Sequence, residues 1–272
     1  MRLSLTAAVG GTHYGAIVIY GPIHEIIPKV AKLGYDGMEL HLLHPGHVDK
    51  NEVRNLAVQY GLGIVTIGTG MAARMEGLTF GDPDPAIRQR TVLRIKEHIL
   101  LAAFLNSAVT LGSIMGRVGD DAEERSVRRS AALDCLEECC QAATKEGVTL
   151  LLEPLNRYES DYLNTVQDAL GIMEQIGSPN LNILADTFHM NIEEVDIAAS
   201  LRGAGSKLGL IHLADSNRQA PGYGHLDFRG VIKALQDIHY QGYLSFEVLP
   251  IPNSQKAAEQ GIRYVKEISG NL

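Results

Sequence analysis

Residues 148–186 read VTLLLEPLNRYESDYLNTVQDALGIMEQIGSPNLNILAD, and their pattern sets the expectation for the chain. Val148–Leu152 is a short, mostly apolar run, as a parallel strand covered on both faces requires. Val166–Ile176 spaces its apolar residues for one face of a helix and stops at Gly177, a residue free to take a left-handed cap. Asn182–Ala185 is a second strand-like run. A carboxylate closes each run, Glu153 the first and Asp186 the second. The unit is strand, helix, strand, with an acid where each strand finishes.

The same unit extends in both directions. Strands are predicted at Leu3–Val9, Gly37–Leu40, Gly63–Gly68 and Ala108–Leu111, and again at Leu208–Leu213 and Tyr243–Val248. Helices are predicted at Ile23–Leu33, Val48–Tyr60, Pro85–Phe104, Asp121–Glu146, Ile192–Leu201, Phe228–His239 and Gln255–Ile268. With the quoted unit this makes eight strands alternating with eight helices, the α/β pattern of a (β/α)8 TIM barrel, whose usual length of about 250 residues suits the 272 here. One barrel domain over residues 1–272 is expected. A doubly wound sheet shares the alternation, but eight units favour closure. Gly34, Gly61, Gly147 and Gly242 mark further helix ends, and Asp82-Pro83-Asp84-Pro85 should open the third helix.

Composition narrows the function. Hydrophobic residues are 45% and charged residues 21%, which excludes a disordered or collagen-like chain. No apolar run approaches the ~18 residues of a membrane span, and Met1 to Val9 does not read as a signal peptide, so a cytoplasmic protein without a membrane partner is expected. A net charge of −8 argues against a nucleic-acid partner. Cys135, Cys139 and Cys140 crowd one helical stretch and read as reduced thiols. There is no Trp.

Catalytic groups of such barrels sit where strands end. Four polar residues occupy those places: Glu153, Asp186, His212 after Leu210-Ile211, and Glu247 after Leu244-Ser245-Phe246. Carboxylates gathered on one rim repel each other unless protonated or neutralised. A divalent metal resolves the conflict, and this donor set suits Mn2+ or Mg2+, with Co2+ and Zn2+ as alternatives. Beside these lie Asn156, Arg157, Tyr158 and Glu159, then His189 and Asn191, then Asp215, Asn217 and Arg218, a polar layer suited to a polyhydroxylated ligand. Gly10-Gly11 and Gly68-Thr69-Gly70 end strands with small residues that let a ligand near the backbone, without a phosphate-binding fingerprint. His41, His44 and His47 are weaker candidates for a second metal, and Arg117 could meet a substrate carboxylate. Arg125, Arg128 and Arg129 read as a solvated helix face.

The runs LLLEPLNRYESDYLNT, LADTFHMNIEE, IHLADSNRQAPGYGHLDF and SFEVLP resemble the xylose-isomerase-like sugar isomerase/epimerase family, with the closest likeness to D-tagatose 3-epimerase-type and 5-keto-L-gluconate epimerase enzymes. The resemblance spans the chain, and residues 153–250 carry its specificity. It implies an isomerase of carbohydrate metabolism that inverts the carbon next to the carbonyl of a keto sugar or keto sugar acid through an enediolate. It implies Glu153, Asp186, His212 and Glu247 as metal ligands, usually for manganese, and Glu153 and Glu247 also as the acid/base pair. Glu159, His189 and Arg218 match sugar-binding residues, and a homodimer or homotetramer is implied. Two departures point from a plain ketohexose toward a sugar acid, with Arg117 as carboxylate reader. One is the absence of Trp from the expected aromatic wall; the other is Ala214-Asp215-Ser216-Asn217-Arg218 where many members have Gly-Glu-Ala-Asn-Arg. An aldose–ketose isomerase such as hydroxypyruvate isomerase is the alternative. An endonuclease-like metallohydrolase and a silent sugar-binding barrel are more remote.

Overall fold

A computed structural model describes residues 1–10 and 15–270; Gly11, the second residue of the Gly10-Gly11 pair, lies outside them. Eight parallel strands close into a barrel: β1 (Arg2–Val9), β3 (Gly37–His41), β4 (Gly63–Gly68), β5 (Ala108–Leu111), β6 (Leu150–Leu152), β7 (Leu181–Asp186), β8 (Leu208–His212) and β9 (Tyr243–Phe246). Closure comes from β1 pairing β9 through Arg2–Leu5. The second half of that same edge, Ala7–Val9, instead pairs a short strand, β2 (Ile19–Gly21), that the sequence pattern did not announce. Each predicted barrel strand is present within two residues of its expected ends, a consequence of the strong apolar runs.

The surrounding helices are α1 (Ile23–Lys32), α2 (Lys50–Tyr60), α4 (Pro85–Leu105), α5 (Ala122–Glu146), α6 (Val166–Ile176), α8 (Ile197–Ala204), α9 (Phe228–Asp237) and α10 (Ser254–Ser269). Two shorter helices follow strand ends directly: α3 (Gly70–Glu76) and α7 (Thr187–Glu193). The expected helix Ile192–Leu201 is therefore two helices. Glu194 leaves the helical conformation, and the Asp196 carboxylate accepts from the Ala199 N–H to start α8 afresh. Gly61, Gly147 and Gly177 cap their helices in the left-handed conformation, whereas after α9 it is His239 that carries the positive φ.

Strand side chains alternate between the barrel interior and the helices. Leu151, Leu184 and Leu210 form an interior plug separate from the main core, which lies between strands and helices. The interior residue two positions further along each of these strands is Glu153, Asp186 and His212. The plug thus sets the floor beneath the polar rim. Arg125 and Arg128 are not simply solvated: both donate to loop carbonyls, Arg125 to Gly119 and Asp161, Arg128 to Gly81 and Arg117. The three cysteines are free, Cys139 and Cys140 buried. Among the described residues no helix is long and apolar enough to cross a membrane.

Leu184 is fully buried in the plug, so Leu184→Ala removes packing that its neighbours cannot refill. It is expected to lower unfolding stability by about 2–5 kcal/mol, read as a shift in the urea midpoint.

Candidate active site

Glu153, Asp186, His212 and Glu247 meet at the C-terminal mouth of the barrel, each offering one donor atom, and these atoms all lie within 4.8 Å of one another. His212 Nδ1 faces the three carboxylates at 3.6 Å from Glu153 Oε1, 3.7 Å from Asp186 Oδ2 and 3.8 Å from Glu247 Oε2. Glu153 Oε1, Asp186 Oδ2 and His212 Nδ1 are buried without a hydrogen-bond partner. Such orphaned polar atoms are costly singly, and here three of them converge on one space beside a fourth donor. The residues fit a divalent cation.

Local structure aims each donor. Asp186 divides its carboxylate: Oδ1 accepts from the Phe188 N–H and caps α7, leaving Oδ2 to the cluster. Thr187 Oγ1 donates to the carbonyl of Ala214 and accepts from its N–H, tying the exits of β7 and β8 together. The Glu153 carboxylate lies against the backbone of Gly112, where a Cβ would stand 2.2 Å from Oε2. Only glycine leaves that carboxylate its place.

The sequence pattern missed Glu39, fully buried in the middle of β3. Its Oε1 lies 2.9 Å from His212 Nε2 and accepts from Ser245 Oγ, while Oε2 accepts from Thr66 Oγ1 at 2.7 Å. A carboxylate on Nε2 orients the imidazole and leaves Nδ1 for the cluster. Glu39 carried no local signal, because it neither ends a strand nor interrupts a long apolar run. Only closure of the barrel brings it to His212.

The electrostatics follow from this crowding. Burial pushes the Glu153 carboxyl well above its ordinary range, and the Glu247 carboxylate adds to the push. Burial alone would lower His212, but Glu39, Asp186 and Glu247 hold its imidazolium and raise it well above the usual value. Burial likewise opposes ionisation of Asp186, yet His189, His212 and Arg218 outweigh it and bring it down to about 2.

The structure gathers Glu159, His189 and Arg218 beside the cluster. Arg218 donates to Glu247 Oε2 at 2.9 Å and Glu159 Oε1 at 3.1 Å, and its guanidinium lies 4.9 Å over the Phe188 ring. Its backbone has φ +59°, held by a turn in which Asp215 accepts from the N–H groups of Ser216, Gly222 and Leu226. Asp215 thus shapes the loop and does not face a ligand. His189 Nδ1 accepts from the Asn156 N–H, and its Nε2 lies 3.8 Å from Asp186 Oδ2. Arg74 of α3, absent from the sequence reading, pairs with Glu159 from the far side. Asn217 and Arg157 make local contacts, with the Tyr223 carbonyl and with Glu193.

Arg117 stands apart. Its guanidinium donates to the Tyr158 and Glu159 carbonyls, and it lines a surface hollow with Thr79, Asp82 and Arg128. The three histidines of the second candidate metal set are separated. His41 is buried and lines the mouth, while His44 accepts from the Gly46 N–H and stacks loosely on His47 outside, rings 5.7 Å apart.

Comparison with known proteins identifies the family. The sequence profile of the xylose isomerase-like TIM barrels matches residues 27–268. The chain belongs to that family. The L-ribulose 3-epimerase of Mesorhizobium japonicum is 33% identical over 229 residues, 83% of this chain and 75% of its own. The D-psicose 3-epimerase of Enterocloster bolteae is 33% identical over 252 residues, 86% of this chain and 81% of its own. A solved structure of an L-ribulose 3-epimerase superposes with a TM-score of 0.82 at 25% identity, covering 98% of this chain and 94% of that one.

Two outcomes follow. Glu39→Gln weakens the hold on His212 and is expected to lower Mn2+ affinity roughly 10–100-fold by titration calorimetry. Glu153 and His212 both hold protons more tightly than usual when no cation is bound. Binding must displace these protons. Mn2+ affinity is therefore expected to rise with pH, and calorimetry in buffers of different ionisation enthalpy should register net proton release.

Proposed function

We propose that the chain inverts the carbon next to the carbonyl of a keto sugar, C3 of a ketose or the matching carbon of a keto sugar acid of the 5-keto-L-gluconate or D-tagaturonate type. It is an isomerase-class enzyme, a carbohydrate epimerase. One observation carries the reading: Glu153 and Glu247, from the non-adjacent strand ends of β6 and β9, both reach the buried cluster and both line the mouth pocket. A two-base epimerisation needs acid/base groups on opposite sides of a planar intermediate, and two carboxyl groups can fill both places. The names of the 33%-identical relatives, epimerases acting at C3 of ketoses, support the position of inversion.

Glu153, Asp186, His212 and Glu247 would hold the cation, with manganese the best match to three carboxylates and one imidazole. When bound, the cation supplies Lewis-acid polarisation of the substrate carbonyl and offsets the carboxylate charge. The chain's own groups do the rest. One glutamate removes the proton beside the carbonyl and the other returns one to the opposite face. The substrate passes through an enediolate. Arg218, held between Glu159 and Glu247, and His189, whose Nε2 has no hydrogen-bond partner among the described residues, would stabilise charge on its oxygens. The glutamates exchange roles with the configuration of the substrate. Aldose–ketose isomerisation shares the enediolate but moves the carbonyl, so product analysis separates the two reactions.

A screen with Mn2+ should find turnover of a ketose or keto sugar acid with the carbonyl kept in place and one solvent deuteron taken up at the inverted carbon. Glu153→Gln and Glu247→Gln should each lower kcat by about 10²-fold or more. Near-normal turnover in either variant would refute the two-carboxylate scheme.

A further inference from the structure

The cluster, with Glu159, His189 and Arg218, occupies the part of the barrel mouth from β6 to β9. The rest of the mouth also carries polar side chains with nothing to bind. His41, at the end of β3, is 6% exposed, and neither ring nitrogen has a hydrogen-bond partner among the described residues. Thr110, near the end of β5, is 7% exposed, and its Oγ1 is equally unpartnered. Both line the same pocket as Glu153 and Glu247.

Strand register relates these two residues. His41 stands opposite Gly68 across β3 and β4, and Gly68 stands opposite Thr110 across β4 and β5. The three form one row across neighbouring strands. Gly68 supplies space in that row: a Cβ there would lie 2.5 Å from His41 Nδ1, so the imidazole lies over the glycine. Burial lowers the His41 pKa despite the Glu247 and Glu39 carboxylates nearby, which keeps the ring neutral with one N–H donor and one acceptor. A threonine hydroxyl also donates and accepts. This is the complement of hydroxyl groups, which themselves do both, and it is a poor match to a carboxylate or phosphate, which only accept. Apart from Arg74, which pairs with Glu159, the pocket lining here is short and weakly apolar, and among the described residues it includes no Phe, Tyr or Trp.

We infer that His41 and Thr110, with Gly68 between them, form a subsite that binds hydroxyl groups on the part of the substrate away from the reacting carbons. The inference rests on the epimerase reading and adds a specificity determinant to it. Polar groups built to pair a hydroxyl discriminate strongly against analogues that lack it, because they are then left buried and unpaired. The ligand this wall selects is a neutral polyol chain.

The test uses the Mn2+-loaded full chain with D-psicose and L-ribulose as probes. Wild-type turnover of either sugar with the carbonyl kept in place supports the reading beneath the subsite; turnover of neither sugar overturns the neutral-polyol subsite, and the epimerase reading falls with it only if keto sugar acids are not turned over either. Given turnover, Thr110→Val, which keeps the volume and removes the hydroxyl, is expected to raise KM roughly three- to tenfold, and Thr110→Ser to restore it. His41→Leu and Gly68→Ala should raise KM by at least as much, the latter by displacing the ring. In all three KM variants kcat should change less than KM, and Mn2+ affinity by calorimetry should stay within about twofold. KM unchanged in both Thr110→Val and His41→Leu, or a KM rise that only accompanies lost Mn2+ affinity, overturns the subsite while leaving the epimerase reading in place.

Discussion

Three carboxylates brought within 4.8 Å of one imidazole, almost out of reach of water, are the constraint around which this molecule is arranged. Like charges at that spacing cannot all persist on their own. The fold answers with two cations, His212 and Arg218, and with the imidazole of His189, whose pKa burial lowers. Glu39 holds His212 as an imidazolium donor, Arg218 bridges Glu247 to Glu159, and His189 sits against Asp186. Each of those helpers is itself fixed: Glu39 by Ser245 and Thr66, Arg218 by the turn that Asp215 folds, His189 by Asn156. A rigid arrangement of this kind preorganises the centre, which is what stabilisation of developing charge requires.

Much of this is legible in the sequence. Glu153, Asp186, His212 and Glu247 each break an apolar run as it ends, and a parallel barrel delivers all strand ends of one polarity to one rim. Glu159, His189 and Arg218 lie a few residues beyond them and arrive with them. Glu39 was not legible, because its importance comes from closure: it is distant in sequence from both His212 and Ser245. Arg74 was hidden for a related reason. It rides on α3, one of two short helices whose few residues give too little periodicity to read. The split of Ile192–Leu201 turned on a single capping side chain, Asp196, inside a pattern that otherwise continues. Arg117 shows the opposite failure, since position after a strand does not say which way a long side chain turns. Its loop carries it outward to the carbonyls of Tyr158 and Glu159.

The mouth has two unlike halves. From β6 to β9 every inward position at the rim is charged or ionisable, and those groups satisfy one another or converge on a common centre. From β3 to β5 the row is His41, Gly68 and Thr110, whose polar side-chain atoms have no hydrogen-bond partner among the described residues. On the proposed reading, chemistry and recognition fall on opposite walls of one barrel. The interior leucines Leu151, Leu184 and Leu210 close the floor below and keep the centre at the surface end of the barrel. The lack of Trp also takes on meaning here, because the described pocket wall offers hydrogen bonds and bare backbone in place of aromatic faces.

The divided carboxylate of Asp186 has a further consequence. One oxygen begins α7 and the other looks into the cluster, so a single short side chain fastens a helix to the reactive centre. Glutamate has the same charge and donor type but one more methylene. It cannot reach back to its own second-following N–H with one oxygen while leaving the other where Asp186 Oδ2 stands. At this position, then, the ordinary exchange of one acid for the other is closed to drift. The helix that carries His189 shares its starting point with the centre, and the two can change over generations only together.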